Sequence, residues 1–171
     1  MTQSQSSNIN LTKAKWRQIL LADRRQISSS LREKAARDAA SLLAETPIFQ
    51  QSRTIACYYP LNNEFDSLPI IEKIWQAKKN CYLPVVTSAG CLDFVLYQQN
   101  SEMRNNCFHI PEPIGESKIS PQELDLVLLP LLGFDRQGNR LGMGAGYYDR
   151  TFHAIKKPVL CGLAYEKQCV E

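Results

Sequence analysis

The chain has 171 residues, of which 44% are hydrophobic and 22% charged, with 8 Gly and 9 Pro. That length suits one domain and a core without metal or disulfide staples, because chains near this size bury about 68–70% of their unfolded surface. The near-average composition excludes disordered, collagen-like and coiled-coil classes, and a net charge of +3 is too small to indicate a nucleic-acid partner.

Residues 1–8 are polar with no apolar h-region, so no secretory signal is expected and the segment reads as a flexible tail. Charge concentrates just after it. Residues 1–55 hold nine basic and four acidic residues, against eleven and thirteen over 56–171, which suits an anionic ligand near the amino-terminal helix. Thr12 to Arg25 is predicted helical, with Lys13 and Arg17 on one face. A second helix is predicted from Ser30 to Ala44, opened by a Ser30-x-x-Glu33 capping box, facing inward through Leu31, Ala35, Ala39 and Leu42, and closed by Pro47. Thr54 to Tyr59 is β-rich and ends in the turn cluster Pro60 to Asn63. Asp66 or Ser67 then caps a helix through Ile70, Ile71, Ile74 and Trp75 that stops near Asn80. Cys81 to Val86 and Cys91 to Tyr97 form a hairpin around Ser88-Ala89-Gly90. A polar connection with Pro111, Pro113 and Pro121 leads to Leu124–Phe134, apolar but for Asp125, as expected of a parallel strand covered on both faces. Its longest apolar stretch, Leu126 to Phe134, contains Pro130 and is half the ~18 residues that a membrane span needs. A Gly-rich loop, a helix from Tyr147 to Ile155 and a strand from Val159 to Ala164 complete the chain.

Strands alternating with helices around an apolar central strand predict an α/β three-layer α/β/α sandwich with a mostly parallel sheet, in one domain. Ligands of such sheets bind beyond the carboxyl ends of the strands, which selects the loops after Tyr59 and after Phe134. The six cysteines form no C-x-x-C pair and four sit in apolar runs, so reduced thiols in a cytoplasmic protein are expected. His109 and His153 have no partner at ligand spacing, and no zinc site is expected.

The segment richest in chemistry is Arg140-Leu-Gly142-Met-Gly144-Ala-Gly146-Tyr147-Tyr148-Asp149. Alternating glycines between a buried strand and a helix start let backbone amides approach an anion closely, aided by the helix terminus. Arg140 offers a planar fork to phosphate oxygens, and Asp149 a carboxylate for Mg²⁺ beside a polyphosphate. The loop is neither a P-loop nor a dinucleotide fingerprint, since no G-K-[ST] follows and Tyr147 occupies the third-glycine place of G-x-G-x-x-G.

These residues, following Leu124 to Pro130 and Phe134-Asp135, resemble the signature of the 5-formyltetrahydrofolate cyclo-ligase family, also called 5,10-methenyltetrahydrofolate synthetases. The resemblance extends through Lys13-x-x-x-Arg17, Tyr59 and Glu64, Leu83-Pro84 and Ile110 to Pro113. It implies a sandwich fold shared with sugar-phosphate isomerases and CoA transferases. It also implies conversion of 5-formyltetrahydrofolate to 5,10-methenyltetrahydrofolate with ATP and Mg²⁺, releasing ADP and phosphate, in a monomer or weak dimer without nucleic-acid or membrane partners. By the same resemblance, Lys13, Arg17, Arg140, Gly142, Gly144, Gly146 and Tyr148 hold ATP, and Asp149 holds Mg²⁺. Tyr59, Glu64, Phe108, Met143 and Tyr147 contact the folate, and Arg140 and Tyr147 act on the reacting group. Ala145 stands where some members carry Lys, which removes one phosphate contact. The family pattern runs on beyond Glu171 into a His/Asn-Asp segment, where some members place a second Mg²⁺ ligand. The alternative from the same residues is a noncatalytic folate- or nucleotide-binding protein derived from such an enzyme.

Overall fold

The computed structural model describes residues 12–61 and 63–170. The expected tail over residues 1–8 and Asn62 of the turn cluster lie outside the described residues. Five helices, α1 (Lys13–Arg25), α2 (Ser29–Glu45), α3 (Pro47–Gln51), α4 (Leu68–Gln76) and α5 (Tyr147–Phe152), surround the strands. The main sheet contains β1 (Thr54–Ala56), β2 (Asn80–Val86), β3 (Leu92–Leu96), β6 (Lys118–Ile119), β7 (Leu126–Pro130) and β10 (Val159–Leu163) in the order β10-β7-β1-β2-β3-β6. The first four neighbours run parallel, and the β2–β3 hairpin and β6 add antiparallel pairs. Two short hairpins stand apart from the sheet, β4 (Met103–Asn105) with β5 (Pro111–Pro113), and β8 (Gly133–Phe134) with β9 (Arg140–Leu141). This is the expected flanked, mostly parallel sheet.

Strand period two sorts side chains onto two buried faces. Ile55, Cys57, Cys81, Leu83, Leu126 and Leu128 enter one core with Ile70, Ile71 and Ile74 of α4 and Phe49 of α3. Ala56, Tyr82, Val127 and Leu129 enter the opposite core with Phe152 of α5. At about 25 cal/mol per Å² of apolar surface removed from water, these two faces dominate the stabilisation.

Several local expectations are refined. First, α2 starts at Ser29, and its cap is Ser28, whose Oγ accepts from the Leu31 amide at 3.4 Å. Ser30 is already inside the helix, so no Ser30–Glu33 capping box forms. Second, the buried positions of α2 are Ala36 and Ala40, whereas Leu31 and Leu42 are exposed (49% and 67%). Small residues let α2 pack closely, while Leu43 packs against the core and Leu31 and Leu42 face outward. Third, Pro47 does more than close α2: Thr46 caps it as the first residue of α3. Fourth, Leu124–Phe134 is not one strand. It leaves the sheet after Pro130, and Gln168 Nε2 takes up the carbonyls of Leu131 and Leu132 at 3.0 and 2.8 Å. Phe134 instead pairs with Arg140 across β8–β9. Asp66 and Ser67 share the α4 start: Asp66 Oδ1 accepts from the Leu68 amide, while Ser67 Oγ turns inward to donate to the Tyr58 carbonyl at 2.6 Å. The helix ends at Gln76, short of Asn80. Helix α5 ends at Phe152, short of Ile155.

The connection from β1 through α4 runs to β2 on one side, and that from β7 through α5 runs to β10 on the other. The two helices cover opposite faces, so the loops leaving β1 and β7 part above the sheet. A crevice opens at that switch point. Helix α1 crosses it and packs so closely that a Cβ on Gly133 would sit 2.6 Å from Leu20 Cδ1.

Candidate active site

Above the parting of β1 and β7 lies a cavity of about 950 Å³. It is lined by one stripe of α1, the loop after β1, the tip of the β4–β5 hairpin and the glycine loop between β9 and α5. Lys13, Arg17, Glu64, Phe108, Arg140, Gly142, Met143, Gly144, Gly146, Tyr147, Tyr148 and Asp149 all line it. Residues far apart in the chain thus meet in one place. Ala145 lines it as well.

The glycine loop is shaped by its backbone and by two arginines. Gly144 has φ of +108°, which residues with a Cβ rarely adopt, and the Arg17 guanidinium lies 3.4 Å from where that Cβ would stand. Arg17 Nε donates to the Gly142 carbonyl at 2.9 Å, tying α1 to the loop. The amides of Gly142, Gly144 and Gly146 donate to no carbonyl among the described residues. Arg140 Nη2 bonds Asp149 Oδ1 at 2.5 Å, with the arginine largely covered and the aspartate open to solvent. The cavity's loop end therefore offers cationic heads and free amides, the chemistry of a polyphosphate site.

The other wall is apolar and acidic. Phe108 sits on a turn held by Asn106 Oδ1, which accepts from the amides of Phe108 and Ile110 at 2.8 and 3.1 Å. Its ring meets Tyr147 edge-on, with centroids 6.3 Å apart. Tyr147 is in turn covered by Arg150, whose guanidinium lies 5.2 Å from the ring centroid while Nε bonds the Gly90 carbonyl at 2.8 Å. Burial pushes the Glu64 carboxyl above its usual range, opposed by the Leu61 amide and the Arg24 guanidinium. Burial also holds Tyr148 far above its usual titration range, so its hydroxyl stays a donor.

Tyr59 is the one expected contact outside this lining. It is half-buried and packs against the core shared with α4. The lining residue that sequence reasoning missed most plainly is Arg24, only 3% exposed. Its signal was the spacing Lys13, Arg17, Leu21, Arg24, one helical face in which an apolar residue interrupts the charges.

No cluster of three or more His, Cys, Asp or Glu side chains able to hold a metal occurs among the described residues. The donor set instead fits a largely hydrated Mg²⁺ shared with phosphates: one exposed carboxylate, Asp149, with one oxygen committed to Arg140. No helix among the described residues is long and apolar enough to cross a membrane.

Residues 9–171 match the 5-formyltetrahydrofolate cyclo-ligase family. The chain is 36% identical over 156 residues to the Escherichia coli (strain K12) 5-formyltetrahydrofolate cyclo-ligase, covering 86% of this chain and 85% of that protein. It is 39% identical over 128 residues to the Haemophilus influenzae cyclo-ligase, covering 71% and 68%. The NMR structure of Aquifex aeolicus 5,10-methenyltetrahydrofolate synthetase is similar with a TM-score of 0.82 at 28% identity, over 93% of this chain and 80% of that one. With a whole-chain match, a shared fold and the signature loop set at the switch point of the sheet, this chain belongs to the 5-formyltetrahydrofolate cyclo-ligase family, a family of ligases.

Proposed function

We propose that the chain converts 5-formyltetrahydrofolate to 5,10-methenyltetrahydrofolate at the expense of ATP, which leaves as ADP and phosphate. The formyl oxygen is an amide oxygen and a poor leaving group, so N10 cannot displace it directly. Transfer of the γ-phosphoryl group to that oxygen makes it a leaving group and makes the carbon electrophilic. N10 then attacks the carbon, the C–O bond breaks, and phosphate departs with the N10 proton. Lys13, Arg17, Arg140 and the amides of Gly142, Gly144 and Gly146 bind the triphosphate and neutralise charge on the transferring group. Asp149 and the nucleotide's phosphates would hold Mg²⁺, which when bound supplies further neutralisation of that charge. Glu64 accepts from the pterin N–H donors, Phe108 and Met143 cover the ring, and Tyr147 and Tyr148 bring hydroxyls toward the formyl group.

The observation that carries this reading is that the cationic glycine-loop wall and the aromatic, acidic wall face one cavity, so phosphoryl donor and acceptor can lie side by side. Six free cysteines support a reducing, cytoplasmic setting, and the chain acts as a monomer or weak dimer. The test is to mix the protein with 5-formyltetrahydrofolate and Mg-ATP and follow methenyltetrahydrofolate absorbance. Product is expected only when both substrates are present; no ATP-dependent product contradicts the proposal.

A further inference from the structure

Arg24 is an anomaly on α1. Its neighbours on the same stripe, Lys13 and Arg17, stand at the glycine loop, whereas Arg24 lies two turns further along, about 10 Å from Arg17 at 1.5 Å per residue. Leu21 separates the two. The residue is 3% exposed, yet it lines the cavity. Among the described residues, its side chain makes a single long hydrogen bond, from Nη1 to the Leu131 carbonyl at 3.4 Å. A guanidinium has five N–H donors, and with one of them on a long bond the others remain available to whatever fills the cavity. Glu64 is the acidic side chain that acts most strongly on Arg24, and Arg24 acts on Glu64 in turn, but no ion pair forms between them among the described residues. One Glu64 oxygen accepts from the Leu61 amide at 3.1 Å, which leaves the other open.

We infer that Arg24 and Glu64 together read the lactam edge of the pterin ring, Arg24 donating to the 4-oxo oxygen while Glu64 accepts from the N3–H and 2-amino groups. This assignment rests on the proposed folate substrate and adds to it the residue that selects the oxo form of the ring. A donor and an acceptor that line one cavity without bonding each other match a cyclic amide, which presents an acceptor beside a donor. They do not match the 2,4-diamino ring, whose 4-amino group would bring a donor against the guanidinium. Sites built to hydrogen-bond a particular group reject analogues lacking it far more strongly than apolar pockets reject a missing methylene. Burial weakens the hold on the Arg24 proton while Glu64 strengthens it.

The experiment compares binding of 5-formyltetrahydrofolate and of its 2,4-diamino analogue to the wild-type chain and to Arg24→Met, by calorimetry, with Mg-ATP binding measured alongside. The wild-type chain is expected to prefer the oxo form by at least ~30-fold, and Arg24→Met to lose most of that preference while ATP affinity stays within ~2-fold. Arg24→Lys, which keeps the charge without the fork, carries the same comparison if Arg24→Met does not fold. A merely structural arginine predicts lower stability with the oxo preference unchanged, and that outcome overturns the inference. A wild-type chain that binds no folate refutes the proposed function and this assignment with it, whereas a wild-type chain that turns folate over but shows no oxo preference refutes this assignment alone.

Discussion

Arg140 is held by Asp149 through one Nη and lines the cavity. A donor aimed at charge that develops during reaction is worth about 2.7–4 kcal/mol, so Arg140→Ala should lower turnover at least ~100-fold with the fold intact. Steady-state kinetics and circular dichroism check this together; an unchanged rate in a folded variant would remove Arg140 from the reaction. Glu64 gives a pH signature. Burial raises its pKa, so it becomes protonated at a higher pH than an ordinary carboxylate, and a protonated Glu64 no longer offers two acceptors to the pterin. The acid limb of kcat/KM for folate should therefore begin above the usual carboxylate range, about 4.3, and disappear in Glu64→Gln. The same limb in the variant would assign it to another group. Much of this wall was legible in the sequence because Arg140 to Asp149 compresses cation, amides and carboxylate into ten residues. Tyr59 lies outside the lining for a reason of phase. It continues the alternation of Ile55 and Cys57, which face the α4-side core, so it follows them inward instead of turning to the cavity.

Elements were legible where periodicity was strong and blurred where several residues could play one part. Ser28, Ser29 and Ser30 are all acceptable caps, and Glu33 made Ser30 the best local match. Tertiary burial decided otherwise: Ile27 is pinned in the core at 4% exposure, which fixes where the chain turns into α2. Replacing an N-cap serine by alanine costs about 1 kcal/mol, so Ser28→Ala should be less stable by that amount in urea unfolding, whereas Ser30→Ala should stay within ~0.5 kcal/mol. The reverse order would restore the sequence-based assignment. The apolar run Leu124–Phe134 was ambiguous in another way. Leucines buried in a strand and leucines buried beneath α1 look alike in sequence, and only the Gln168 amide bonding to the Leu131 and Leu132 carbonyls reveals that the chain has left the sheet. That hydrogen bonding comes from a residue more than thirty positions away and leaves no local trace.

On the scale of the whole molecule, the order β10-β7-β1-β2 puts the parting of two connections where α1 can span it. Helix α1 is both structure and site: Leu20 packs on Gly133, while Arg17 holds the glycine loop. Binding of nucleotide should therefore stabilise the entire fold. At a Mg-ATP concentration of 100 times Kd the linkage is about 2.7 kcal/mol, which for a chain of this size raises Tm by roughly 5–10 °C. Arg17→Ala should lose most of that shift; a full shift in the variant would take the nucleotide away from α1. The central claim is that this cavity couples phosphoryl transfer to ring closure. It is tested most directly by carrying oxygen-18 in the formyl group of 5-formyltetrahydrofolate, adding Mg-ATP, and analysing the phosphate by mass spectrometry. One labelled oxygen is expected in each phosphate released, in step with methenyltetrahydrofolate; unlabelled phosphate, or product formed without ATP, would rule out phosphorylation of the formyl oxygen.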